Sequence, residues 1–439
     1  MKMSILSIVA IVAAIACSGQ LAWGAPSGAN APIVHVVTDI HYLAKNLHDD
    51  GNAFNKLVYE GDGKNTELIH DILDAYRYTL QKEKPDILLV TGDLTLNGEK
   101  ASHLALASWF KAVESLSVKV FVLPGNHDIL NPWARGYSGD QTYKTENVSP
   151  EEFRSIYRAY GFDEAIARDN ESLSYVVEPI SGLRIFMLDS CLYSDNLRLG
   201  HPESGGSLGY GTLDWILANL KEAKRAGARV LVAMHHSAVD HNPFISEGYT
   251  VYDADFILAR FLDAGIIFTL TGHVHIQDIS EQTTPLGTFR DIATNSLSVY
   301  PHNYGKIQIS LQNNRLSYRS FPVNVETWAR EERIGDDRLT RFEAYSWRFF
   351  RDRSAFMVNK MLAGSDVQLP AERAQAFADL LGTLNERFFA GNAYLNALDA
   401  VHSEAYQDLV KTDYGFLSAY VQSIIEDPSP ENNKLDIGF

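Results

Sequence analysis

Five short apolar runs in this chain each stop on residues able to bind a cation, and that recurrence constrains the fold more than any other feature. Ile33 to Thr38 ends in Asp39-Ile40-His41, and Asp86 to Thr91 ends in Gly92-Asp93. Val118 to Leu123 leads into Gly125-Asn126-His127-Asp128, Arg229 to Ala233 into Met234-His235-His236, and Ile266 to Thr271 into Gly272-His273-Val274-His275. Segments of helical periodicity lie between the runs: Asn65 to Lys82, Glu99 to Ser115, Thr212 to Ala223 and Asp253 to Ala264. Strand–helix alternation implies βαβ units and a largely parallel sheet, whose sites form beyond the carboxyl ends of the strands. One polar strand ending is ordinary loop chemistry. Five on the same rim predict a single site.

The donors available there are imidazoles, carboxylates and one amide. In an extended strand end, Asp39 and His41 fall on one side, as do His273 and His275, because residues two apart point the same way. With Asp93, Asn126 and His235 the set is too rich for one structural zinc. It suits two divalent cations of the Zn, Mn or Fe class with open coordination positions. Two such ions about 3.5–4 Å apart, bridged by a carboxylate, form a clamp used in phosphate-ester hydrolysis.

The ordered set Asp39-Ile40-His41, Gly92-Asp93, Gly125-Asn126-His127-Asp128, His235 and Gly272-His273-Val274-His275 resembles the calcineurin-like metallophosphoesterase superfamily, over about residues 32–322. The resemblance implies that Asp39, His41 and His275 hold one metal, that Asn126, His235 and His273 hold the other, and that Asp93 bridges them. It further implies that His127 serves the leaving group and Asp128 orients His127, while a hydroxide between the two metals attacks phosphorus. His236 then lines the pocket or meets substrate. The implied fold is α/β, a four-layer α/β/β/α sandwich, here followed by an all-α helical bundle. The layout is similar to the exported cyclic-nucleotide phosphodiesterase branch. The function expected is therefore a two-metal phosphodiesterase acting on cyclic nucleotides or related diesters. A phosphomonoesterase or nucleotidase, and a non-catalytic envelope binding protein on the same fold, are the alternatives.

Composition sets the remaining bounds. The net charge of −17 excludes a basic surface for duplex nucleic acid. The start of the chain, Met1-Lys2-Met3 followed by the apolar stretch Ser4 to Ala16, reads as an export signal. Cleavage before Ala25 and lipid attachment at Cys17 both fit, so the protein is expected to be exported, as an extracellular protein, a periplasmic protein or a lipoprotein whose membrane contact is a lipid on Cys17. With Cys17 and Cys191 the only cysteines, no structural disulfide is expected. The domains read as a signal segment 1–24, a spacer 25–31, a metallophosphoesterase domain 32–325 and a helical domain 326–439 with an irregular tail after Glu426. Residues outside the motifs take plainer readings. Asp189 is structural, Asn97-Gly98 a turn with Glu99 opening a helix, and His35 a core residue. His201, His241 and His302 are solvated loop histidines. Gly61-Asp62-Gly63-Lys64 lacks the context of a phosphate loop and is rejected as one. Lone Cys191 is a small buried residue, and the C-terminal aromatics, including Phe350 and Phe389, are core. The oligomeric state is left open.

Overall fold

The computed structural model describes residues 31–439 except 245, 364–368, 413 and 427–430. The signal segment, Cys17 and nearly all of the spacer lie outside the described residues. Two β-sheets face one another. The first has six strands in the order Lys434–Gly438, Arg315–Pro322, Asn303–Ser310, Ile33–Val37, Ile87–Thr91 and Lys119–Leu123; the last three are parallel and the others antiparallel. The second has seven, with Leu183–Leu188, Arg229–Met234, Phe268–Thr271 and Gly287–Ala293 parallel at its centre. Strands buried on both faces are apolar except where a polar side chain finds a buried partner, as Thr269 and Thr271 do in Asp291. Ile87–Thr91 (Ile-Leu-Leu-Val-Thr) and Phe268–Thr271 are buried along their whole length.

The inner faces share one core, in which Val34, Val36, Leu88 and Val90 meet Ile185, Leu231, Leu270 and Ile292. Helices Ile69–Glu83 and Lys100–Glu114 bring Ile72, Leu73, Leu106 and Phe110 into that core, while Tyr210–Arg225 and Ala254–Ala264 cover the second sheet with Ile216, Leu220, Leu258 and Phe261. These are the four layers α/β/β/α. The C-terminal bundle follows as Phe342–Ala363, Ala371–Phe389, Glu404–Thr412 and Phe416–Ile425. Its core takes in Val274 and Ile276 beside Leu381, Leu384, Phe388 and Ile424. The bundle thus closes on the same turn that carries His273 and His275.

One expectation is corrected. The tail is not irregular: Lys434–Gly438 adds an edge strand to the six-stranded sheet, with Ile437 buried. The open edge of Arg315–Pro322 offers unpaired backbone groups, and the Leu435/Ile437 alternation matches the pleat. The stretch Asn131 to Asn147 contains a two-stranded ribbon, Arg135–Ser138 with Gln141–Lys144.

Candidate metal centre

Asp39, His41, Asp93, His273 and His275 all have left-handed backbones, with φ of 50°, 47°, 50°, 67° and 61°. None is a glycine, so each is held in a sparsely populated conformation by its surroundings. Convergence of the two pairs therefore comes from tight turns just past the strands, and the extended-strand reasoning for their common side is corrected. Two glycines permit the closeness. A side chain at Gly125 would collide with the Asp93 carboxylate, and one at Gly272 with Thr38.

All seven expected ligands meet at this rim. Ligand atoms of Asp39, His41, Asp93 and His275 lie within 4.8 Å of one another, as do those of Asp93, His235 and His273. Asn126 joins the second group, its Oδ1 3.1 Å from His235 Nε2. Asp93 belongs to both groups through different oxygens: Oδ2 is 3.6 Å from His41 Nε2 and Oδ1 is 3.6 Å from His235 Nε2. His41 Nε2 and His275 Nε2 face each other at 3.0 Å.

Hydrogen bonds aim the donors. Nδ1 of His235 donates to the Thr91 carbonyl (2.8 Å), which turns Nε2 toward Asn126 and Asp93; burial opposes its charge, but without a bound cation Asp93 raises the pKa of this imidazole to about 9. Nε2 of His273 donates to the Gly248 carbonyl (3.0 Å), leaving Nδ1 free. Oδ2 of Asp39 accepts from Thr38 Oγ1 and the His273 amide, whereas Oδ1 is buried without a hydrogen-bond partner. Burial opposes ionisation of Asp93, yet the imidazoles of His127, His235 and His41 hold its carboxyl well below the usual range. Burial drives His41 and, together with the neighbouring His235, His273 toward the neutral form that binds metal. An orphaned carboxylate oxygen, inward-facing ring nitrogens and a carboxylate shared between two clusters fit two divalent cations.

His127 stands edge-on to His41 with ring centroids 5.0 Å apart. Its amide donates to Asp93 Oδ1, and its Nδ1 approaches the Leu96 carbonyl (2.9 Å) and Asn97 Oδ1 (3.1 Å). The expectation that Asp128 orients this imidazole is corrected. The Asp128 carboxylate accepts from the amides of Leu94, Thr95 and Gly125 and from Thr95 Oγ1, so it ties the Asp93 turn to the Asn126 turn. Orientation of His127 falls to Leu96 and Asn97. His236 is also corrected: it is fully buried, its Nδ1 on Ser190 Oγ and its Nε2 on the Ser204 carbonyl.

Other residues were not legible as functional. Lys64, dismissed with its loop, is 8% exposed, pairs with Asp62 and lines the cavity above Asp93, His127 and His275. Lys64 also bears electrostatically on His41 and His127. The loop lacks the strand–loop–helix context of a phosphate loop, so only tertiary packing brings Lys64 here. His241 and His302 are buried rather than solvated; His241 donates to Asp278 (2.6 Å) and Asp291 (3.3 Å). Asp189 accepts from Leu173, Cys191 and Tyr193, and His35 packs on Tyr76 and Tyr304.

Residues 33–277 match the calcineurin-like phosphoesterase family, and the chain belongs to that family. Residues 324–431 match the C-terminal domain of cyclic nucleotide phosphodiesterase. Among curated proteins, the probable glycerophosphodiester phosphodiesterase GpdQ of Arcobacter nitrofigilis is 29% identical over 207 residues, which is 47% of this chain and 58% of that protein. Among solved structures, a dimetal phosphatase from Danio rerio aligns at a TM-score of 0.48 and 14% identity, over 67% of this chain and 97% of its own. GAP50 of Plasmodium aligns at 0.36 and 12%, over 67% and 85%.

Proposed function

We propose that this protein is an exported, two-metal phosphodiesterase acting on cyclic nucleotides or related diesters. The observation that carries the reading is Asp93, whose two carboxylate oxygens turn toward separate histidine-rich clusters. The match of residues 324–431 to a cyclic nucleotide phosphodiesterase domain supports the substrate class, and the name of the Arcobacter relative supports diester chemistry. Asp39, His41 and His275 would hold one cation and Asn126, His235 and His273 the other, with Asp93 available to both. When bound, two divalent cations supply Lewis acidity toward the phosphate oxygens and a nucleophilic water at neutral pH.

The chain's own groups do the rest. His127 donates from Nδ1 to Leu96 and Asn97, so Nε2 delivers a proton to the departing oxygen only from the imidazolium form, which burial opposes and the carboxylates of Asp93 and Asp62 favour. Lys64, paired with Asp62, places a cation beside His127 and His275 in the cavity, and Phe350, Phe389 and Phe416 of the bundle line its other side. The first 24 residues support export. The test is turnover of bis-p-nitrophenyl phosphate against p-nitrophenyl phosphate by Mn²⁺-loaded protein. Diester turnover is expected to dominate; dominant monoester turnover makes the protein a phosphomonoesterase instead.

A further inference from the structure

The cavity over the ligand cluster has a volume of about 540 Å³, within the roughly 300–1,000 Å³ span of small-molecule sites. Asp93, Asn126, His127, His273 and His275 form its floor. Its roof is helical. Phe350 and Arg353 come from Phe342–Ala363, Phe389 ends Ala371–Phe389, and Phe416 and Tyr420 come from Phe416–Ile425.

Two features of the roof call for a ligand. Nε and Nη1 of Arg353 are buried with no hydrogen-bond partner among the described residues, and the guanidinium lies over Phe356, 5.1 Å from the ring centre. Buried donors without acceptors are costly, so an acceptor inside the cavity stabilises this arrangement. The second feature is aromatic surface left wet inside a recess. Phe416 is 58% exposed and Phe244 39%, although the two rings pack edge-on at 5.5 Å and Tyr420 stacks beside Phe416. The two cations of the cavity come from different parts of the chain: Lys64 from the loop ahead of the helix Ile69–Glu83, and Arg353 from the helix Phe342–Ala363.

We propose that Arg353 and the aromatic rings of the roof form a subsite for a nucleobase, the flat ring stacking on the aromatic wall and its edge acceptors taking the free guanidinium N–H groups. A purine edge carries such acceptors, N7 on both purines and O6 on guanine. Stacking between a base and aromatic side chains is tolerant of base identity and contributes comparably to a charge-assisted hydrogen bond. The subsite rests on the phosphodiesterase reading only for its orientation relative to the phosphate. Its existence stands on the roof alone.

The test is calorimetric titration of full-length, Mn²⁺-loaded protein with guanosine, which has the base but no phosphate, and with ribose, which has neither. Guanosine is expected to bind and ribose not to. Arg353→Met and Phe416→Ala are each expected to weaken guanosine about tenfold or more, with melting temperatures unchanged. With 3′,5′-cyclic GMP as substrate, the Arg353→Met loss is expected in KM rather than kcat. Absence of guanosine binding, or equal binding by wild type and both variants, overturns the subsite. If Arg353→Met does not fold, Phe416→Ala decides, because Phe416 is largely exposed and tolerates truncation. If wild type cleaves no diester while guanosine binding responds as expected, the phosphodiesterase reading falls and the subsite stands.

Discussion

At the scale of single residues, the centre depends on side chains held in conformations they would not choose alone. Left-handed backbone at five non-glycine candidate ligands places Asp and His groups closer together than regular strand ends allow. His127 is the residue whose chemistry separates most cleanly from metal binding. His127→Ala is expected to lower kcat about 10²–10³-fold on diesters with alkoxide leaving groups, and far less with p-nitrophenolate, which departs without a proton. Metal content should stay at the wild-type value. Equal losses on both leaving groups would remove His127 from the proton-transfer role. The convergence of the seven candidate ligands was legible in the sequence because each closely follows an apolar run. The partners of His127 were not. Nothing in Leu96-Asn97 signals that a backbone carbonyl and a turn amide will hold an imidazole, and adjacency in sequence made Asp128 the obvious but wrong candidate.

At the scale of elements, the segment between the strand Arg229–Met234 and the helix Ala254–Ala264 links core to site. Its Gly248 carbonyl fixes His273, and Tyr249 packs on the same ring at 5.1 Å. The segment is anchored by His241, whose imidazole sits between Asp278 and Asp291. Burial opposes its charge, but the two carboxylates raise its pKa to about 10. Thr269 Oγ1 and the Ala238 amide donate to Asp291 as well, and Ser280 Oγ to Asp278. Because the folded pKa lies above the ordinary value of about 6.5, this ion cluster contributes its full stability below pH ~6.5 and loses it as pH rises toward and through 10. The stability difference between wild type and His241→Gln, measured by urea unfolding at several pH values, should shrink from pH 6 to pH 10. A difference independent of pH would show that His241 is uncharged in the fold. In the sequence His241 looked like any loop histidine, since its two partners lie 37 and 50 residues downstream on strands that only the folded sheet brings near.

At the scale of the molecule, the sandwich and the bundle form one unit. Val274 and Ile276, flanking His275, belong to the bundle's core, and the tail returns to complete the first sheet. Asn432 accepts from Gln277 Nε2 through its carbonyl and from the Ile279 amide through Oδ1, stitching the tail to the strand just after the His273 turn. Deleting residues 432–439 is therefore expected to lower the melting temperature by several degrees, corresponding to about 2–4 kcal/mol from lost apolar burial at Leu435, Ile437 and Phe439; an unchanged melting curve would contradict that stitching. Apolar periodicity made the four layers and the helical region readable. It could not reveal a short polar-flanked strand at the tail, nor that aromatic residues of the bundle, which read as core, partly line the cavity above the ligands.

The central claim is that one shared carboxylate organises two cations into a phosphodiesterase site. The most direct measurement is diesterase activity of chelator-stripped protein during stepwise return of Mn²⁺. Activity near zero without metal, rising and saturating at two equivalents per chain in wild type and abolished in Asp93→Asn, is the expected result. Activity indifferent to chelation, saturation at one equivalent, or an unimpaired Asp93→Asn variant would contradict it.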